Sequence, residues 1–250
     1  MPKSVFQGIY ESLKQGIESS VYQYQSMLMS EHDLCKQYSC SRSTVRRALG
    51  QLAQEGYVQS IQGKGVRVIW RSENETASTS EGNVLESFIE KAHRIGFQPS
   101  TQVLLFEHIK IDETLARTTG FSVNDRVVKT LRRRLGDGIP ISTELSYVLE
   151  EEVPGLTEKA METSLYGYIE NELGKRIVTN KRHIVIEEAT EADRELIGIP
   201  DSLPAVGVIR CQSFNTNGIM FEWSEERQHP YYFSYYDTLM RPSKAIANRG

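Results

Sequence analysis

Ser41-Arg-Ser-Thr-Val-Arg-Arg-Ala-Leu49, inside the segment 30–68, decides how the first third of this chain folds. Read as a helix, it places Val45, Leu49 and Leu52 on one apolar stripe at the i, i+4, i+7 spacing. Arg42, Ser43, Thr44, Arg46 and Arg47 then fall at its N-terminal end and on its outer side. Ser41 suits the N-cap, because its hydroxyl satisfies a backbone N–H left open in the first turn. A helix that offers arginines and a threonine from its first two turns fits a DNA major groove. Arginine bonds guanine edges or phosphates in a two-pronged fashion, and the helix N-terminus favours phosphate.

Upstream, Ser30-Glu31-His32-Asp33 has the Ser-x-x-acid form of a capping box and opens a short helix with Leu34 and Tyr38 on one face. Tyr38-Ser-Cys-Ser41 is a short polar turn, so the pair reads as helix–turn–helix. Downstream, Tyr57–Ile61 and Val66–Ile69 are β-branched runs joined by Gln62-Gly-Lys-Gly65, which reads as a hairpin with Lys64 at its tip and Arg67 on its second strand. That turn lacks the spacing of a P-loop and joins two strands, so a nucleotide-phosphate loop is rejected. An arginine-bearing helix alone is more often a solvated face. Here the capped preceding helix, the short turn and the basic wing together point to DNA.

Residues 5–70 resemble the winged helix–turn–helix domain of the GntR superfamily of bacterial transcription regulators. The resemblance is carried by Ser30-Glu31, Ser41-Arg-x-Thr-Val-Arg46, Ala48-Leu49, Leu52, Gly56 and Gln62-Gly-Lys-Gly65. Met29, Cys40 and Val66 depart from the usual residues without removing an expected DNA contact. The resemblance implies that Ser30, Glu31, Arg42, Ser43, Thr44, Arg46, Arg47, Gln62, Lys64 and Gly65 form the DNA-contacting set. It also implies a homodimer on a palindromic operator, since two-fold proteins read two-fold sites.

Charge supports this division. The 250 residues carry a net charge of −4, but residues 1–71 hold nine Lys+Arg against five Asp+Glu, a net of +4. The remainder holds 20 basic and 28 acidic residues, a net of −8. Positive charge is therefore concentrated where phosphates would be met. With 39% hydrophobic and 25% charged residues the chain has the composition of a globular protein, and no apolar run approaches a membrane span. A cytoplasmic location without a membrane partner is expected. Cys35, Cys40 and Cys211 have neither disulfide-framework nor zinc spacing, so reduced thiols and no metal are expected.

The domain division read from the sequence is 1–71 for the winged head, 72–83 for a polar linker and 84–250 for a second domain. In the second domain, helices are expected at Val84–Ile95, Asp112–Thr119, Ser164–Leu173 and Thr190–Ile197. Strands are expected at Thr101–Ile109, Val127–Leu135, Ile139–Leu149, Ile177–Glu187, Leu203–Phe214, Ile219–Glu226 and Tyr231–Thr238. Consecutive strands with tight turns and intervening helices make an α+β fold, an antiparallel sheet covered by helices.

Three groups there invite a functional reading. Arg132 and Arg134 point to one face of a strand, where buried arginines need an anion; pairing with Glu144 or exposure to solvent are the plain alternatives. Ser164-Leu-Tyr166 opens a helix, which suits an anion or simple capping. Glu222, Ser224 and Glu226 alternate on one strand near Arg227 and the stretch Tyr231–Tyr236, which suits sugar hydroxyls or a packed aromatic edge.

The ordered set Arg132-x-Arg134-x-x-Asp137-Gly-x-Pro140, Glu144, Tyr147, Ser164-Leu-Tyr166, Glu222, Ser224 and Arg227 resembles the UTRA ligand-binding domain of the HutC-like branch of the same superfamily. The UTRA fold is itself like that of chorismate lyase. The resemblance implies that Arg132, Arg134, Ser164 and Tyr166 hold the acidic group of a small-molecule effector. Glu144 and Glu222 would hold its hydroxyls, with Ser224, Arg227 and Tyr232 nearby. Ser164–Gly174 and Glu191-x-Asp193-Arg-Glu-Leu196 are similar to trehalose-operon repressors, which implies trehalose 6-phosphate as effector. Another sugar phosphate, an amino-sugar phosphate or a non-sugar acid is the alternative. An enzyme of the lyase fold is disfavoured: the sequence shows no nucleophile–base pair, metal cluster or cofactor loop, and fold alone says little about chemistry.

Overall fold

The computed structural model describes residues 5–70, 88, 89, 92 and 96–233. In the head, α1 (Val5–Glu18) buries Ile9, Leu13 and Ile17 against α3 (Arg42–Gln54), whose Val45, Ala48, Leu49 and Leu52 form the opposing stripe. The short α2 (Glu31–Gln37) buries Leu34 in the same core. Ser30 and Ser41 cap α2 and α3 as the sequence indicates, accepting from the amides of Asp33 and Thr44. β1 (Val58–Ile61) and β2 (Gly65–Val68) pair antiparallel to make the wing, with Ile61 opposite Gly65. The turn between them needs left-handed backbone at Gly63, where φ is 74°, a conformation glycine adopts without a Cβ clash.

The body is a six-stranded antiparallel sheet in the order β3-β4-β5-β8-β7-β6. Its strands are β3 (Pro99–Lys110), β4 (Arg126–Gly136), β5 (Ile139–Leu149), β6 (Ile177–Glu188), β7 (Ala205–Asn215) and β8 (Met220–Gln228). α4 (Glu113–Thr119) sits between β3 and β4 and ends at Gly120 in the left-handed region. α7 (Glu191–Ile197) links β6 to β7 and opens with a capping box between Thr190 and Asp193.

One face of the sheet buries Val128 and Val148 under Met161, Leu165 and Ile169. The opposite face packs Val127, Tyr147 and Trp223 with Ile111 and Phe121, and takes in Ile69 and Tyr24 from the head. The architecture is the expected α+β arrangement. Among the described residues, no helix is long and apolar enough to cross a membrane.

Two local expectations are amended, and one helix is added to them. The helix expected at Ser164–Leu173 forms with Ser164 as its cap, but only its first turn, α6 (Leu165–Gly167), is α-helical; it runs into a π turn at Tyr168–Glu172 closed by Leu173 N–H donating to Tyr168 O at 3.1 Å. A separate helix α5 (Glu158–Thr163), capped by Thr157, precedes it. The start of the strand expected at Tyr231–Thr238 is instead a turn: Pro230 has no N–H for the ladder, and the Tyr232 amide donates to His229 O at 2.9 Å. Residues 72–83 and the end of that strand lie outside the described residues, as does all but part of the helix expected at Val84–Ile95.

Candidate anion site and nucleic-acid face

Antiparallel register puts directly opposed residues on the same face, and this lays out the site in three rows. Arg132 stands opposite Glu144, and Glu144 opposite Glu226. The next row is Thr130, Ser146, Ser224 and Cys211, and the third is Val148, Glu222, Ser213 and Asn180. A file of short side chains therefore lies between a charged row and a polar one.

Arg132 is 1% exposed. A buried guanidinium requires a partner, and both Arg132 and Arg134 use the same one. Glu144 Oε2 accepts from Arg132 Nη2 at 2.7 Å and from Arg134 Nη2 at 2.6 Å, while Arg134 Nη1 donates to Thr101 Oγ1 at 2.8 Å. The pairing alternative is thus realised, yet it leaves the trio with one surplus positive charge. Arg132 Nε and Thr130 Oγ1 are buried with no hydrogen-bond partner among the described residues. Buried donors left unpaired are costly, so this is where an added acceptor gains most. The Phe88 ring lies 5.1 Å from the Arg134 guanidinium and lines the same end.

Burial, aided by the neighbouring Arg134, pushes Arg132 down to about 10. Burial alone would raise Glu144, but the two arginines hold its carboxyl below the usual range. Glu222 is pushed up to about 7 by burial and by the Glu144 charge. It accepts from Ser213 Oγ at 3.0 Å, and Ser213 in turn lies 3.1 Å from Tyr166 OH and 2.9 Å from Asn180 Nδ2. Burial, then the Glu222 charge, holds the Tyr166 hydroxyl well above its ordinary range, so it stays protonated. Cys211 is likewise raised by burial to about 12 and remains a thiol. The site thus offers a cationic end at the arginine pair and a hydroxyl-rich end around Glu222.

The structure brings Arg132, Arg134, Glu144, Tyr166, Glu222 and Ser224 to this face. Ser164 caps the turn carrying Tyr166, accepting from Gly167 N at 3.0 Å. Arg227 departs from the expected group. It alternates with Ser224 and Glu226 and so points to the other face, where its Nε is 2.9 Å from Asp193 and its Nη1 2.9 Å from Glu187. Tyr232 stands in the turn after β8 with its ring 5.6 Å from that of His229. Asn180, Ser213, Thr130 and Cys211 were missed. Their signal is polar or short residues at alternate positions in otherwise β-branched strands.

On the head, Arg42, Ser43 and Arg46 are exposed along the outer side of α3, and Gln62, Lys64 and Gly65 at the wing. Ser41 Oγ lies 2.9 Å from Thr44 Oγ1, which orients that side chain. Arg46 Nε is 2.9 Å from Glu31, so α2 steadies it, and Ser30 lies at the start of α2. Arg47 instead stacks over the Phe6 ring of α1 at 4.3 Å.

Comparison with known proteins agrees with both halves. Residues 6–68 match the gntR family of bacterial regulatory proteins, and residues 94–234 match the UTRA domain. The chain is 34% identical to the HTH-type transcriptional regulator TreR of Bacillus subtilis over 96% of this chain and 99% of that one. It is 29% identical to the HTH-type transcriptional repressor NagR of the same organism, over 94% and 95%. Among solved structures, the effector-binding domain of the B. subtilis trehalose repressor is similar with a TM-score of 0.51 and 29% identity, over 57% of this chain and 98% of that one. The possible transcriptional regulator YydK of B. subtilis shares the fold over 95% of this chain and 100% of that one, with a TM-score of 0.55 and 20% identity. With a winged head exposing arginines on α3 and a UTRA sheet carrying a buried arginine pair, the chain belongs to the gntR family of bacterial transcription regulators.

Proposed function

We propose that this regulator is a homodimeric repressor of a trehalose uptake and utilisation operon, released from a palindromic operator by trehalose 6-phosphate. The observation that carries the effector reading is the buried Arg132–Arg134 pair with its surplus charge and unpaired Nε beside the hydroxyl-rich row of Glu222 and Ser213. A phosphate matches the cationic end, and sugar hydroxyls match the Glu222 carboxyl and the hydroxyls beside it. The similarity to the B. subtilis trehalose repressor TreR supports trehalose as the sugar. On the DNA side, Arg42, Ser43, Thr44 and Arg46 enter the major groove, while Lys64 and Gly65 reach the backbone or minor groove. Release follows from linkage: the effector binds the DNA-incompetent arrangement more tightly, and that difference sets the size of the response. The protein acts in the cytoplasm and performs no catalysis.

Calorimetric titration with trehalose 6-phosphate, against trehalose and glucosamine 6-phosphate, tests the effector. Binding of trehalose 6-phosphate alone, abolished by Arg132→Ala, is the expected result. Binding of glucosamine 6-phosphate instead replaces the sugar and keeps the site. No binding of any of them overturns the effector reading.

A further inference from the structure

The wing of the head is seated on the turn between β7 and β8. Gln59 of β1 is polar yet only 5% exposed, and its Nε2 donates to Asn215 O at 2.8 Å. At the wing tip, Lys64 Nζ donates to Asn217 Oδ1 at 3.1 Å. Arg67 of β2 lies across Gly218, where φ is +67° and a Cβ would stand 3.0 Å from Arg67 Cδ. Just beyond β2, Lys181 Nζ of β6 donates to Ile69 O at 2.5 Å, and Tyr24 OH lies 3.7 Å from Met220 Sδ. Ile69 completes this seat inside the core of the body.

We infer that the β7–β8 turn is a receptor for the head's own wing, and that the wing docked there and the wing bound to DNA exclude one another. The argument is one of shared groups. Lys64 is the cation at the wing tip, where a duplex would present its phosphates. Docked, its ammonium is held by Asn217, while Gln59 and Arg67 on the two wing strands lie against the same turn. Seated against the wing at Gln59, Lys64 and Arg67, the turn stands where a duplex would lie, so docking lowers apparent DNA affinity by the fraction of molecules undocked.

The turn is also joined to the anion site along one strand. Ser213 bonds Glu222, and Asn215 follows it by two residues on β7. Between them the β7–β8 pairing slips register, at Ser213/Phe214. Asn215 Oδ1 receives the amides of Asn217 and Ile219 at 2.8 and 3.2 Å, and its Nδ2 donates to Glu152 at 2.7 Å. A ligand that draws on Ser213 or Glu222 therefore acts on the segment that holds the wing. This link rests on the effector reading proposed above; the docking itself does not.

The test places Lys64→Cys and Asn217→Cys in the full-length protein with Cys35, Cys40 and Cys211 changed to serine. A short bis-methanethiosulfonate reagent then bridges the pair reversibly, and affinity is read with a mixed-sequence DNA duplex at low salt. The expected result is a bridge within one chain, formed in free protein and suppressed by the duplex. The bridged protein should bind the duplex roughly tenfold more weakly or worse, with recovery on adding dithiothreitol. A bridge formed in undiminished yield on DNA, unchanged affinity after bridging, a bridge only between two chains, or no bridge at all each overturns the inference. None of these readouts uses an effector, so a failed trehalose 6-phosphate titration leaves this result standing.

Discussion

Glu144 Oε2 lies 2.7 Å from Arg132 Nη2, an ion pair whose arginine side chain is only 2% exposed. The same oxygen accepts from Arg134 Nη2, so the carboxylate is the resident counter-ion of the arginine pair. Removing it leaves two buried guanidinium groups facing each other. Glu144→Ala is expected to lower folding stability by about 3–5 kcal/mol, measured by urea denaturation. Added inorganic phosphate should recover part of that loss in the variant and do less for the parent. Equal stability of variant and parent would remove Glu144 from this role.

Glu222 ties stability to pH. Its carboxyl is raised by burial and by Glu144 to about 7 in the folded chain, against 4.5 for the ordinary group. The folded state therefore keeps a proton that the unfolded state releases, and its contribution is full below 4.5 and fades as pH rises through about 7. Glu222→Gln, which stays neutral, should lose less stability than the parent between those two values. Denaturation midpoints measured across that interval decide it; parallel curves for the two proteins would place the titration elsewhere.

Arg46 separates binding from folding. Its side chain is 68% exposed and its partner Glu31 35% exposed, and exposed pairs contribute at most about 1 kcal/mol. Arg46→Ala should leave the thermal midpoint nearly unchanged while weakening operator binding by roughly 1–3 kcal/mol, read by fluorescence anisotropy. Unaltered affinity would strike Arg46 from the DNA-contacting set.

Arg227 is predicted to behave in the opposite way. It neutralises Asp193, whose side chain is 2% exposed and closes the capping box of α7. Arg227→Met should cost roughly 3 kcal/mol of stability, because a buried carboxylate loses its cation. Effector affinity of the folded variant should match the parent. Lost effector binding at full stability would return Arg227 to the anion site.

The head was legible because its signals are local. Ser30 and Ser41 cap the helices they precede, and the stripe Val45, Leu49 and Leu52 is fixed by helical periodicity alone. In the body, Arg132, Arg134, Glu144 and Glu222 were found through family resemblance and strand alternation, and the register bears out their common face. Arg227 went astray although its spacing from Glu222 already put it on the opposite side, as a single odd step along a strand does. The cap at Ser164 was legible, but the π closure after it was not, because an i→i+5 bond leaves no mark on a helical periodicity. Asn180 and Gln59 escaped for a different reason. Their partners, Ser213 and Asn215, are 33 and 156 residues away, and no local pattern encodes such a pairing.

The file Thr130, Ser146, Ser224 and Cys211 carries a consequence for how such a regulator changes over generations. These four positions meet their neighbours through main-chain ladder bonds, which are indifferent to side-chain identity. A lineage can therefore exchange side chains along the file and acquire a new taste in small molecules while inheriting its scaffold intact. The arginine pair is the opposite kind of position, since neither member can change without stranding a charge. On the effector reading proposed above, descent should thus preserve the preference for an anion and let the remainder of the cargo drift.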